Sequence, residues 1–347
     1  MVHLPIIKVL FFTALAFIFA IAWTPFLTHL LYKYKLGKHI RDDGQTPIYS
    51  KLHAHKAGTP TMGGILIWLT ALVLAAFFFY LGRIFPQSVF ADLNFLTRKE
   101  TLLPLGCLVA SALVGLADDF LDVFRLGYKN RGIKFSYKLI IYSVIALFGA
   151  FWFYFKLNWD IVRVPFVGDF AIGWLYIVFF VGMVVSTAFA VNQTDGLDGL
   201  AGGVLLTSFA SYSLISFAQG KYDLAAFCGA IAGALLAFLW FNINPARFIM
   251  GDTGSISLGV TIALVALYTN TVFVFFFIGF IFVVEAVTTI IQILSKKLRQ
   301  GKKVFLSAPI HHHFEALGWT EPKIVMRFWV IAMVTAVTGL IIFFLDH

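Results

Sequence analysis

Three short stretches hold six of the chain's 17 Asp and Glu residues. They are Asp118-Asp119-Phe120-Leu121-Asp122, Asn192-Gln193-Thr194-Asp195-Gly196-Leu197-Asp198-Gly199 and Met250-Gly251-Asp252. A fourth polar stretch, His311-His312-His313-Phe314-Glu315, adds a histidine triplet and one more acid. Each stands at the end of an apolar run. Carboxylates beside hydrocarbon are expensive unless a cation, a proton or a reaction engages them. The pattern points to metal-dependent chemistry on phosphates at a membrane face.

Asp118 and Asp122 are four residues apart and Asp119 and Asp122 three, so on a helix they share a face. Carboxylates that close repel one another unless neutralised, which suits a divalent metal or a proton relay. A helix end with solvated acids is the plain alternative. Asn192, Asp195 and Asp198 recur at every third position. Gly196 and Gly199 interrupt the helix and let backbone N–H groups approach a ligand. Mixed amide and carboxylate oxygens suit a hard cation or sugar hydroxyls, while a tight Asp-Gly turn between two spans is the alternative. Asn242, Asn244, Asp252 and Thr253 share the next polar segment. Asp252, beside Gly251 and just before an apolar run, is the expected metal ligand, and magnesium characteristically takes one or two carboxylates plus phosphate oxygens and water.

The histidine triplet is read as a phosphate or sugar contact. Zinc is set aside, because adjacent residues do not face one metal and no i, i+4 pair or thiolate accompanies them. Lys56-Ala57-Gly58-Thr59-Pro60-Thr61-Met62-Gly63-Gly64 joins a lysine, hydroxyls and glycines ahead of an apolar run, a setting for anions without the full P-loop pattern. Glu285 lies inside an apolar run and is expected to face the bundle interior or a cavity. The sequence gives it no role.

The elements that position these groups follow from composition. Hydrophobic residues make up 60% of 347 positions and charged residues 12%, with a mean hydropathy of +0.90. Soluble domains carry about 25% charged residues, so lipid must be the main solvent. The expected fold is all-α, a polytopic membrane bundle in one domain over 1–347. Taking about 20 apolar residues per crossing, ten spans are read: 5–31, 62–83, 101–118, 137–155, 174–192, 199–218, 223–241, 256–269, 271–295 and 324–345. The first is too long for a signal peptide. The short 256–269 run could instead join 271–295 as one broken helix. Segment 285–300 keeps helical spacing while turning basic, as a helix entering the interface would. Cys107 and Cys228 sit inside apolar runs and read as core residues, not a disulfide.

With the N-terminus outside, inward segments hold 19 Lys and Arg and outward segments six. The inward set is Lys33, Lys35, Lys38, Arg41, Lys51, Lys56, Arg125, Lys129, Arg131, Lys134, Lys138, Arg247, Lys296, Lys297, Arg299, Lys302, Lys303, Lys323 and Arg327. Positive charge favours the cytoplasmic side, so all four polar clusters should face the cytoplasm and both termini the outside. The net charge of +9 is then largely topological and implies no nucleic acid.

In order along nearly the whole chain, Lys56-x-Gly-Thr-Pro-Thr-Met-Gly-Gly, Asp118-Asp119, Asn192-x-x-Asp195-Gly-x-Asp198-Gly, Phe241-Asn242, Met250-Gly251-Asp252 and Pro309-Ile310-His311-His312-His313-Phe314-Glu315 resemble the phospho-N-acetylmuramoyl-pentapeptide transferases. That family lies within the polyprenyl-phosphate N-acetylhexosamine-1-phosphate transferases. The resemblance implies transfer of a phospho-sugar from UDP-MurNAc-pentapeptide to undecaprenyl phosphate, giving lipid I and UMP, with Mg2+ as cofactor, in the bacterial inner membrane with the site facing the cytoplasm. It also allows a homodimer. Carried over by motif, Asp252 is the metal ligand. Asp118, Asp119, Lys56, Asp252 and His311 are catalytic positions, and Asn192, Asp195, Asp198, Asn242, His312, His313, Thr59 and Lys134 contact substrate.

Two departures stand out. Phe120 and Asp122 replace the family's Tyr and Lys after the paired acids, leaving Lys129, Arg131 or Lys134 to restore the charge. Ile249 precedes Met-Gly-Asp where the family has Phe, with Phe248 one residue earlier. A sister enzyme loading N-acetylglucosamine-1-phosphate shares the acidic clusters. An ion-coupled transporter would hold its acids nearer mid-bilayer.

Overall fold

The structure, a computed structural model, describes residues 3–37, 53, 56–128 and 132–346. Lys38, Arg41, Lys51, Lys129 and Arg131 lie outside the described residues. In chain order the elements are α1 (His3–Lys33), α2 (Ile65–Ile84), α3 (Val89–Leu93), α4 (Leu102–Val123) and α5 (Phe135–Phe151), which ends in a π-helical turn at Trp152–Lys156. A two-stranded antiparallel hairpin, β1 (Ile161–Val164) and β2 (Gly168–Ala171), follows. The rest is helical: α6 (Leu175–Thr194), α7 (Leu200–Ala218), α8 (Tyr222–Asn242), α9 (Asp252–Tyr268), α10 (Val272–Ile278), α11 (Phe280–Leu298), α12 (Ile310–Ala316) and α13 (Glu321–Asp346).

Eight of these helices are long and apolar enough to cross a membrane, and α10 with α11 makes a ninth if counted together. The chain is therefore a polytopic helical membrane protein. Two details depart from the sequence reading. The run 271–295 is not one straight span: α10 and α11 meet at an 87° bend at Gly279. A Cβ there would lie 2.7 Å from the Phe275 ring, so only glycine lets the chain turn so close to that side chain. The hairpin was not foreseen. It is tied to the C-terminal helix by Arg163, whose Nε donates to Asp346 Oδ2 at 2.6 Å.

At 17 residues, α9 is the shortest of the central helices, yet every residue from Thr253 to Tyr268 is buried. It packs against α4 on one side and α6 on another. Small residues allow this. Gly259 lies so near α6 that a Cβ would stand 2.7 Å from Ala188 Cα, the close approach that drives helix association where lipid removes the hydrophobic force. Ser257 and Thr261 return their hydroxyls to carbonyls one turn back, at 2.6 and 2.7 Å, so they are satisfied inside the apolar core. A helix surrounded by protein needs little hydropathy of its own, which is why 256–269 looked marginal as a lipid-solvated span. Cys107 and Cys228 are buried and unpaired by disulfide.

Candidate active site

The paired acids occupy the last turns of α4, and Asp252 opens α9. Gly115 lets the two helices touch: a Cβ there would lie 2.5 Å from the Asp252 carbonyl oxygen. Asp119 uses this proximity. Its two carboxylate oxygens accept the backbone N–H groups of Asp252 and Thr253, each at 3.0 Å. The first turn of a helix has free donors and the positive end of the dipole, so Asp119 caps α9 from a neighbouring helix. Gly251, at φ +74°, makes the entry turn and leaves room for the Asp119 oxygen, 2.5 Å from its notional Cβ.

Capping fixes where Asp252 points. Its Oδ1 accepts from Asn192 Nδ2 at 2.8 Å and its Oδ2 from Lys138 Nζ at 2.7 Å. Lys138, one turn into α5, also forms an ion pair with Asp118. Asp118 Oδ1 accepts the Ile133 N–H at 2.6 Å. Asn192 donates as well to Ser255 Oγ at 2.9 Å. The last turn of α6, the start of α9, the end of α4 and the start of α5 thus meet around one group of carboxylates.

A second cluster lies on the other side of the 192–199 turn. Lys56 Nζ is 2.7 Å from Asp198 Oδ1 and 2.5 Å from Glu321 Oε1. Asp198 Oδ2 accepts the Ala246 N–H and the Asn244 amide, both at 3.1 Å. Glu321 accepts the Asp198 N–H at 2.5 Å and the Asn244 amide at 3.2 Å. Burial works to lower the pKa of the Lys56 ammonium, but Glu321 and Asp198 overcome it and raise the pKa above the ordinary value. Asn242 braces the same region, accepting the Gly199 N–H and donating to the Phe248 carbonyl, both at 2.9 Å. The Lys56–Gly64 segment is tied through its backbone to the stretch just before Asp252. Gly63 and Gly64 donate to Ile249 and Met250 carbonyls at 2.8 Å, and Ile249 donates back to Pro60.

The histidines divide three ways on the short α12. His311 Nδ1 is 2.9 Å from Glu285 Oε2, and both side chains are fully buried. His312 Nδ1 and His53 Nε2 flank one oxygen of Glu315, at 2.6 and 3.2 Å. Burial, and then the neighbouring His311, depress the His312 pKa to about 3. Burial favours protonation of Glu315, but the hydrogen bonds from His312 and His53 hold its pKa at about 2. His313 Nδ1 accepts the Leu306 N–H at 3.2 Å. Gln292 anchors the loop before α12 by accepting the Val304 and Phe305 N–H groups, both at 3.0 Å.

The structure brings Asp118, Asp119, Asn192 and Asp252 together, and Lys56, Asp198 and Asn242 into the adjoining brace. Asp195 ends α6 between the two groups. Thr59 closes a backbone turn onto the Lys56 carbonyl. Lys134 does not enter the carboxylate group. It is exposed beside the Tyr128 and Tyr137 rings, at 5.3 and 6.0 Å. Lys138, counted only among the inward basic residues, fills that role. Lys134 stands outside the helix as the N-cap of α5, whereas Lys138 lies one turn inside it, within reach of Asp118 and Asp252. Lys138 pairs with Asp118 and Asp252 and not with Asp122. Phe248 is fully buried against Phe238 and Phe241. Glu321 was missed because a lone acid before an apolar run carries no motif.

The donor set fits a hard divalent cation. Asp118 and Asp252 approach one another with Lys138 as the cation they share, and Asp252 keeps 19% side-chain exposure, so the group opens to one side. Few protein oxygens and an open side match the habit of magnesium. His53, His312 and Glu315 form a second set of ligand-capable atoms, within 4.8 Å of one another. The triplet alone could not have supplied it, since His53 arrives from a distant segment.

Residues 101–270 match the family model of glycosyl transferase family 4, and residues 56–67 match phospho-N-acetylmuramoyl-pentapeptide-transferase signature 1. The phospho-N-acetylmuramoyl-pentapeptide-transferase of Chloroflexus aggregans is 38% identical over 345 residues, covering 96% of this chain and 89% of its own. Those of Anoxybacillus flavithermus and Bacillus subtilis are 36% and 35% identical, each over 96% of this chain and 98% and 97% of theirs. With identity above a third along almost its entire length, the chain belongs to the phospho-N-acetylmuramoyl-pentapeptide transferase family.

Proposed function

We propose that this protein transfers phospho-MurNAc-pentapeptide from UDP-MurNAc-pentapeptide to undecaprenyl phosphate, forming lipid I and releasing UMP, as one transferase domain of the bacterial inner membrane. The observation that carries this reading is the meeting of Asp118, Asp119 and Asp252 with Asn192 and Lys138 at helix ends. The excess of basic residues at that end supports a cytoplasmic site with both termini outside, and counting the short α9 with the eight long helices and the bent α10–α11 pair gives ten crossings. There a polyprenyl phosphate remains dissolved in the bilayer while its headgroup meets a nucleotide from water.

In the reaction, an oxygen of the lipid phosphate attacks the sugar-bound phosphorus of the nucleotide. The bond from that phosphorus to the bridging oxygen breaks, and UMP leaves with the electron pair. Both partners are anions, so positive charge must be in place beforehand. Asp252 would hold magnesium, with Asp118 beside it, and the ion would supply a Lewis-acidic charge for the diphosphate. Lys138 adds a fixed positive charge at the same point. A phosphomonoester with a second pKa near 6 is already largely ionised at neutral pH, so no strong base is needed. Asp118 takes any residual proton and orients the nucleophile, whereas both Asp119 oxygens are committed to the α9 cap. The 192–199 turn, carrying Asp195 and braced by Lys56, faces the nucleotide.

The test is UMP release by purified protein with undecaprenyl phosphate and UDP-MurNAc-pentapeptide, with and without magnesium. Release that depends on both substrates and on the metal supports the reading. Faster transfer from UDP-N-acetylglucosamine would reassign the sugar, and inversion at phosphorus supports the single displacement over an aspartyl-phosphate route.

A further inference from the structure

Glu285 and His311 form the most deeply buried titratable pair among the described residues, and the transfer chemistry above makes no use of Glu285. Both are 0% exposed, and Glu285 Oε2 lies 2.9 Å from His311 Nδ1. They come from separate elements, the first turns of α11 and the start of α12. An unpaired carboxylate in that setting would be expensive. The other end of each group is unpartnered. His311 Nε2 and Glu285 Oε1 are buried without a hydrogen-bond partner among the described residues, and native proteins keep few such atoms. His311 Nε2 faces the turn that holds Asp195 and Asp198. At Gly196 a Cβ would stand 2.3 Å from that nitrogen, so the imidazole edge rests directly on the turn's backbone.

We infer that Glu285 is the positioning residue of His311. By accepting the Nδ1–H it fixes the ring's rotation and its tautomer, and leaves Nε2 as the one nitrogen presented to the Asp195–Gly196 turn and to a substrate oxygen bound there. A carboxylate that accepts one ring N–H determines what the other nitrogen can do. This inference rests on the transferase reading for its kinetic consequence, but not for the pairing itself.

Two measurements test it. In protein with 15N-labelled histidine, the His311 ring signals are assigned by their loss in His311→Asn. A protonated Nδ1 in the unsubstituted protein, with its signal shifted in Glu285→Leu, supports the pairing. A neutral ring protonated only on Nε2 overturns it. In the UMP-release assay, Glu285→Leu should lower kcat about 10- to 100-fold with the nucleotide KM within about twofold. Glu285→Gln, whose amide oxygen can still accept, should retain more activity. Unchanged kcat in Glu285→Leu, where His311→Asn is impaired, overturns the positioning role. Should Glu285→Leu fail to fold, the spectrum of the unsubstituted protein decides. Should that protein release no UMP, the transferase reading falls while the spectrum still judges the pairing.

Discussion

Lys138 and Lys56 each sit between two carboxylates at nearly the same distances, yet their surroundings assign them opposite tasks. Around Lys56 the acids are closed. Asp198 and Glu321 also accept backbone N–H groups and the Asn244 amide, so their oxygens hold three chain segments together. Around Lys138 the acids are in excess. Asp118 and Asp252 share the one ammonium, a third carboxylate lies alongside as the α9 cap, and Asp252 is more exposed than either acid of the other cluster, at 19% against 7% and 9%. A lysine flanked by two acids is therefore not a signature in itself. What separates the brace from the reaction centre here is that the acids around Lys56 are closed off by several chain segments, whereas Asp252 faces an opening.

The largest effect that distinguishes the two clusters should come from Asp252→Asn. The amide still accepts from Asn192 and relieves charge crowding, so the fold should persist with little change in thermal midpoint. Loss of the charge should lower UMP release by about 10^3-fold or more, the scale of removing a preorganised electrostatic contact. A variant that kept magnesium-dependent activity would dissolve the contrast. Next in size is Lys138→Met. It leaves Asp118 and Asp252 uncompensated, at a cost of about 3 kcal/mol for a broken buried pair. Added magnesium should then raise the thermal midpoint more in this variant than in the parent, because a ligand that binds only the folded state stabilises it. We expect kcat to fall about 100-fold as well. Equal magnesium shifts in variant and parent would show that Lys138 and the metal do not share a site.

How much of this contrast was legible beforehand follows the range of the signals. Hydropathy and the placement of basic residues act over whole spans, so the helical membrane fold emerged from composition. The acids announced themselves because carboxylates are rare in this chain. Which acids would meet, and on which side chains, depends on contacts between residues more than a hundred positions apart. Lys138 lies 114 residues from Asp252, and Lys56 lies 265 from Glu321. The sequence offered Lys129, Arg131 or Lys134 for charge compensation because they stand nearer the acidic motif, but Lys134 stops at the N-cap of α5 and Lys138, one turn inside the helix, reaches Asp118 and Asp252. The bend at Gly279 escaped for a related reason. An apolar run reads as straight whether or not a glycine inside it permits a sharp turn.

Lys56→Met should have a smaller effect on chemistry and a different pattern. The loss of the buried pair should again cost about 3 kcal/mol, but magnesium should not restore the midpoint, since backbone donors leave no opening there for the ion. Activity should fall about 10-fold, mostly through the nucleotide KM, as the 192–199 turn loosens. A magnesium-reversible loss of stability at Lys56 would make the two clusters equivalent after all.

The smallest effect concerns acid. His312 is held neutral, with a pKa near 3 against 6.5 when unfolded, and Glu315 is held ionised, with a pKa near 2 against 4.5. Between pH 6.5 and 4.5 the unfolded chain binds a proton at His312 that the folded chain does not, so stability present above pH 6.5 is lost as pH falls. Glu315 adds its own loss only below 4.5, as pH drops toward 2. One proton sets an upper limit of about 1.4 kcal/mol per pH unit. The thermal midpoint of the parent should therefore decline from pH 6.5 to 5, and His312→Gln, which does not titrate, should flatten that decline. The amide can still donate to Glu315, so at pH 7.5 the two proteins should melt close together. A decline of equal slope in both would mean that His312 is already charged in the folded protein, and that its contact with Glu315 is an ion pair like those of Lys56 instead of a hydrogen bond from a neutral ring.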